Sequence, residues 1–161
     1  MTQRLKANEL VQNALKVLYP LNAHLAKSSL GKSLLHFIYM RVSQINSCAF
    51  CLDMHSKDLR AEGETEQRIY ALNAWRETPF FSEKERAALA WAEAVNNCNV
   101  PDELYEETSK HFSEEELVDL TLGITAIKYL QPPQSCFSAT RWNVSGWAIR
   151  LITGNIAKLF I

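Results

Sequence analysis

The chain has 161 residues, 47% of them hydrophobic and 22% charged, a make-up that fits one globular domain and excludes disorder or a collagen-like repeat. A net charge of -1 gives no global attraction for nucleic acid, and four cysteines are too few for a disulfide scaffold. The charge is uneven: residues 128–161 hold Lys128, Arg141, Arg150 and Lys158 with no acidic residue, so this segment carries +4 and residues 1–127 carry -5.

The pattern through residues 1–127 is helical. Leu10, Ala14, Val17 and Leu18 predict an amphipathic helix over 5–19, with Pro20 ending it or opening the next. Ser28, Ser29 and Gly31 mark a break before an apolar helix over 32–44. Asn46 and Ser47 offer N-caps for a helix that runs to about residue 62 and stops at Gly63. Thr65 caps a short helix reaching Trp75, and Pro79 lies in the following loop. Ser82 with Glu85, and Ser113 with Glu116, have capping-box spacing and open helices over 83–97 and 114–130. Between them, Pro101 suits the first turn of a helix over 102–111.

Pro132-Pro133 closes the regular pattern. Beyond it Val144, Trp147, Ile149, Leu151 and Ile152 are apolar, but Gly146 and Gly154 interrupt them. No apolar run approaches the roughly 20 residues of a bilayer span. Arg4, Lys6, Glu9 and Lys16 interrupt any signal-peptide core. The expectation is a compact all-α domain in the cytoplasm, with neither membrane nor nucleic acid as partner.

The chief chemical signal is Cys48-Ala-Phe-Cys51-Leu-Asp-Met-His55, a CxxCxxxH pattern. On a helix Cys51 and His55 share a face, and Cys48 lies on that face nearer the N-terminus. The amides and dipole of a helix start stabilise a thiolate. His55 can take the Cys51 proton or offset its negative charge. Cys48 can resolve an oxidised Cys51 through an intramolecular disulfide, the usual arrangement for reversible peroxide reduction. Two alternatives stand beside this. Both cysteines can be small buried hydrophobes with His55 at the surface. Or Cys48, Cys51 and His55, with His36 as a fourth ligand, can hold zinc. Cys98 and Cys136 are isolated. His24 and His111 sit among polar residues and read as surface groups, and Trp75, Trp91, Phe80 and Phe81 read as core or subunit contacts. No phosphate-cradling glycine loop or nucleophile elbow is present.

Three blocks in order resemble the carboxymuconolactone decarboxylase-like, alkylhydroperoxidase D-like family. They are the stretch from Arg41 to His55, the stretch from Gly63 to Phe80, and the helix around Glu85 to Glu93; the resemblance covers residues 8–127. It implies an all-α, homo-oligomeric fold and peroxidase activity through the CxxC pair, with no cofactor. Cys51 would attack the hydroperoxide, Cys48 would resolve it and exchange with an external thiol or dithiol reductant, and His55 would activate Cys51. The alkylhydroperoxidase D pattern has a glutamate about twelve residues before the first cysteine as part of a proton relay; here that place holds His36, which can also relay protons. The lactone decarboxylase branch lacks the CxxC centre, so the pair here argues against decarboxylation. A general dithiol–disulfide oxidoreductase and a non-catalytic, zinc-stabilised or structural oligomer are the alternative functions.

The resemblance stops near Ile127. Read one base out of register, the codons that could encode 128–161 permit an Asn-Arg-Leu-Asn helix and a glycine-containing end of the kind the family has. The expectation is a family domain over 1–127 and an atypical tail over 128–161, read as frameshifted; a diverged tail that folds over the helices is the alternative, and an intact reading frame at the junction would refute the frameshift.

Overall fold

The structure is a computed structural model that describes residues 16–131. Among these residues it holds seven α-helices: α1 (Tyr19–Leu25), α2 (Lys32–Ile45), α3 (Ala49–Ala61), α4 (Glu66–Ala71), α5 (Glu83–Asn96), α6 (Asp102–Ser109) and α7 (Glu114–Tyr129). Two 3-10 segments, Lys16–Leu18 and Leu72–Glu77, precede α1 and follow α4. No strand occurs among the described residues, in agreement with the all-α expectation. Most of the helix expected over 5–19, and the tail beyond Gln131, lie outside them.

Helix α2 is the hub. It packs against α3, α5 and α7, and every residue from Leu34 to Met40 is buried. A helix packed against three neighbours needs apolar residues over much of its circumference, and Leu34, Leu35, Phe37, Ile38 and Met40 provide them, leaving Ser33, Arg41 and Gln44 on a partly exposed face. The partner helices bring narrower stripes: Ala88, Leu89 and Ala92 from α5, and Leu120, Ile124 and Ile127 from α7, all fully buried. Gly123 lets α7 approach closely, since a Cβ there would sit 3.5 Å from Leu35 Cδ2 and from the Tyr39 ring.

The predicted caps form where their chemistry is strongest. Ser82 and Ser113 accept from the amides of Glu85 and Glu116, and those glutamates reach back to complete both capping boxes. The Thr65 hydroxyl accepts from the Arg68 amide. Pro20 sits in the first turn of α1, and Pro101 is the N-cap of α6. Asn46 and Ser47 are a correction to the sequence reading. They close α2 rather than open α3: Asn46 is the C-cap, Ser47 takes φ 53°, and Cys48 itself is the N-cap of α3. The Cys48 amide donates to the Ser43 carbonyl at 3.0 Å and the Ser47 amide to Gln44 at 3.2 Å, the paired bonds of a Schellman turn. With a connection this short, both residues are used up in ending the first helix.

The same turn recurs twice. Gly63 (φ 90°) ends α3, with the Glu64 amide donating to Leu59 and the Gly63 amide to Arg60, each at 3.0 Å. Cys98 (φ 54°) ends α5 in the same way, with the Asn99 amide on Ala94. Helix α3 is therefore held between two tight turns and lies along α2.

Candidate functional site

Two stripes of polar side chains meet between α2 and α3. On α3, Cys48, Cys51, His55, Asp58 and Glu62 follow one another at intervals of three and four, one face of a helix. On α2, Lys32, His36, Tyr39 and Ser43 do the same. The tight turn at Ser47 makes the helices antiparallel, so the cysteine end of α3 starts beside Ser43 and its acidic end lies beside Lys32.

Cys48 and Cys51 pair as a disulfide, with Cα atoms 5.3 Å apart. Cys51 is fully buried, against Met54 in an apolar cluster that Phe50 and Leu130 help to close, while Cys48 is half-buried. The first turn of α3 carries no acidic side chain, unlike α5 and α7. The positive end of its dipole is thus left to act on the sulfurs.

His55 is completely buried, and neither ring nitrogen has a hydrogen-bond partner among the described residues. Its Nδ1 stands 3.8 Å from Asp58 Oδ2. Its ring lies 5.5 Å from the Tyr39 ring and 6.4 Å from the His36 ring, centre to centre. Burial, reinforced by His36, pushes the His55 imidazole down to about 3. His36 is also buried, and burial with the nearby Lys32 ammonium pushes it down to about 4. Both rings are neutral at pH 7, so each keeps one unprotonated nitrogen, and burial makes its protonation depend on a compensating negative charge nearby. Burial raises the Tyr39 hydroxyl well above its ordinary range, so it stays protonated.

The four residues singled out from the sequence are thus assembled in one place. The reading of His55 as a surface group is corrected by its complete burial. Among the described residues no group of three or more His, Cys, Asp or Glu side chains is placed to hold a metal ion, so with the cysteines bridged the zinc set is not assembled. Two residues join the site that the sequence reading passed over, Asp58 and Glu62. Their signal was available: they continue the CxxCxxxH face by the next steps of three and four. His24 is more than a solvated group, because its Nε2 lies 2.6 Å from Oδ1 of the buried Asp119. Trp75, Trp91 and Phe81 are buried as expected, and Phe80 packs partly against the core.

Residues 13–94, which span both stripes, match the carboxymuconolactone decarboxylase family. The chain belongs to that family. Its relatives include the uncharacterized protein YdfG of Bacillus subtilis, 43% identical over 130 residues that cover 79% of this chain and 88% of YdfG. The uncharacterized Escherichia coli protein YnjA is 32% identical over 97 residues, 59% of this chain and 53% of YnjA. In three dimensions the family member resembles a crystal structure from Agrobacterium tumefaciens, of a protein of unknown function with a suggested identity as the antioxidant defence protein AhpD. The TM-score is 0.78 and the identity 36%, over 86% of this chain and 97% of that one. A peroxidase-related protein from Silicibacter shares the fold, with a TM-score of 0.67 at 23% identity over 78% of this chain and 66% of that one. No helix among the described residues of this family member is long and apolar enough to cross a membrane.

Proposed function

We propose that the protein is a thiol-dependent hydroperoxide reductase working through Cys48 and Cys51. The observation that carries this reading is His55: a buried, neutral imidazole, without a hydrogen bond at either nitrogen among the described residues, one helical turn beyond a buried cysteine. A buried polar group without a partner costs about 1–3 kcal/mol and is retained at redox and catalytic sites. Reduction of the disulfide creates a thiol on the same helix face, and the imidazole is then a base for its proton.

The Cys51 thiolate attacks the peroxide and breaks the O–O bond, leaving Cys51 as a sulfenic acid; the proton taken up by the imidazole returns to the departing oxygen, which leaves as an alcohol or water. The Cys48 thiol displaces water from the sulfenic acid and forms the disulfide. An external dithiol returns both cysteines to thiols and is itself oxidised to a disulfide. Cys48, the more exposed of the two residues, is the one such a reductant reaches. His36 belongs to the proton path beside His55. Assembly as a homo-oligomer is part of the same reading, supported by exposed Tyr105, Val118 and Leu122 on adjoining helices.

Peroxide-dependent loss of free thiols, compared in reduced wild type and Cys51→Ser, tests the assignment. The expected result is stoichiometric oxidation in wild type and none at the site in the variant. Equal peroxide consumption by the two proteins removes Cys51 from the role. The exposure of Cys48 also fits a general dithiol oxidoreductase; disulfide exchange with no peroxide consumption by wild type would favour that reading.

A further inference from the structure

The Glu62 side chain is only 23% exposed, and its Oε1 lies 3.3 Å from His36 Nδ1. That contact is within reach but out of line for a formed hydrogen bond. Going inward, His36 faces His55, and His55 follows Cys51 on the same face of α3. Glu62, His36, His55 and Cys51 thus follow one another from a partly exposed carboxylate to a buried cysteine. We propose that Glu62 is a positioning residue for this site: its carboxylate orients His36 through Nδ1–H and offsets the positive charge that arises when the histidine pair takes the proton of Cys51. The assignment rests on the thiol reading of the Cys48–Cys51 pair, and its test does not require peroxide turnover.

The chemistry needs such a group. A proton passed from sulfur to a buried imidazole creates a cation in an apolar setting, and an opposite charge within a few ångströms is what makes that state accessible. Nδ1–H directed at a carboxylate also fixes the tautomer and leaves Nε2 of His36 as the acceptor.

The charges around the line are accounted for on each neighbouring element. From α2, Lys32 acts against protonation of His36 and pulls on Glu62. From α3, Asp58 stands near His55 and also repels Glu62. After α3, Glu64 repels Glu62 too but is tied to Arg68 and to the Ser33 hydroxyl. From α4, Glu66 is paired with Arg60. Glu62 itself contacts an imidazole on the facing helix, His36.

The experiment uses the full reduced chain. With Cys48, Cys98 and Cys136 changed to serine, ultraviolet thiolate absorbance against pH titrates Cys51 alone. Glu62→Gln and Glu62→Ala are expected to move that titration up by about one pH unit, and Glu62→Asp by less. Nitrogen-15 spectra of the histidines are expected to show the Nδ1–H tautomer of His36 in wild type and its loss in Glu62→Ala. Circular dichroism confirms that the variants fold, which the partial exposure of Glu62 favours.

Peroxide consumption is then measured on Glu62 variants with Cys48 intact. A titration shift together with absent turnover in wild type would remove the peroxidase reading and leave the Glu62 assignment standing. Cys51 titrations in Glu62→Gln and Glu62→Ala that overlay the parent curve overturn the assignment, whatever happens to turnover.

Discussion

Acidification from pH 7 to pH 5 is expected to destabilise the fold through its two buried histidines. Burial, with a smaller contribution from His36, lowers His55 from 6.5 to about 3; burial, with Lys32, lowers His36 from 6.5 to about 4. Both values are lower in the folded chain than in the unfolded one, so the unfolded chain takes up protons first. The stability these groups contribute is complete above 6.5 and drains as pH falls toward their folded values. At pH 5 both rings are still neutral when folded and almost wholly charged when unfolded. Relative to pH 7 this costs about 2 kcal/mol for each, roughly 4 kcal/mol together.

The carboxyls held low, Glu66, Glu93, Glu107 and Glu116, begin to withdraw their contribution only around and below their ordinary 4.5, so the histidines dominate the interval. Urea unfolding of the oxidised protein at pH 7, 6 and 5 reads the effect. At an m-value of about 2 kcal/mol/M the midpoint falls by about 2 M. His55→Gln keeps a polar side chain that does not titrate and is expected to halve the fall. An unchanged midpoint between pH 7 and pH 5 in wild type would refute the claim that these histidines are buried in the neutral form.

Ser47→Gly and Cys98→Gly should each stabilise the protein by about 1 kcal/mol, because both side chains occupy left-handed backbone where a Cβ is costly; thermal melts check this. Gly123→Ala should be neutral to stabilising by about 0.5–1 kcal/mol, since its Cβ would meet ordinary contacts at 3.5 Å. Gly123→Leu should instead cost about 1–3 kcal/mol by forcing Leu35 and Tyr39 aside, and a melt as high as wild type would contradict the close approach of α7. Ser113→Ala removes a formed capping box and should cost about 1 kcal/mol in chemical unfolding.

Much of the fold was legible along the chain because its signals are local. Capping boxes act over three residues, and both formed where Ser82 and Ser113 announce them. Gly63 ended its helix for a backbone reason that no neighbour has to supply. The link between α2 and α3 was misread because Asn46 and Ser47 suit either end of a helix. Only the geometry of the turn decides that they accept the close of α2, leaving Cys48 to begin α3. The chemical pattern was legible in part. Cys48, Cys51 and His55 share a helix face by spacing alone, and Asp58 and Glu62 extend it by the same rule.

What the sequence determined by itself was the helical class, the caps and the placing of two thiols and an imidazole on one face, since each follows from contacts within a turn or two. Only the tertiary structure decided the state of those groups. Packing α3 against α2 removes His55 from water, sets His36 and Tyr39 beside it, and brings Glu62 across to His36. Burial and facing charge, which arise only when distant segments meet, turn an ordinary histidine into a buried neutral imidazole and set a solvent-side glutamate against His36 beside it.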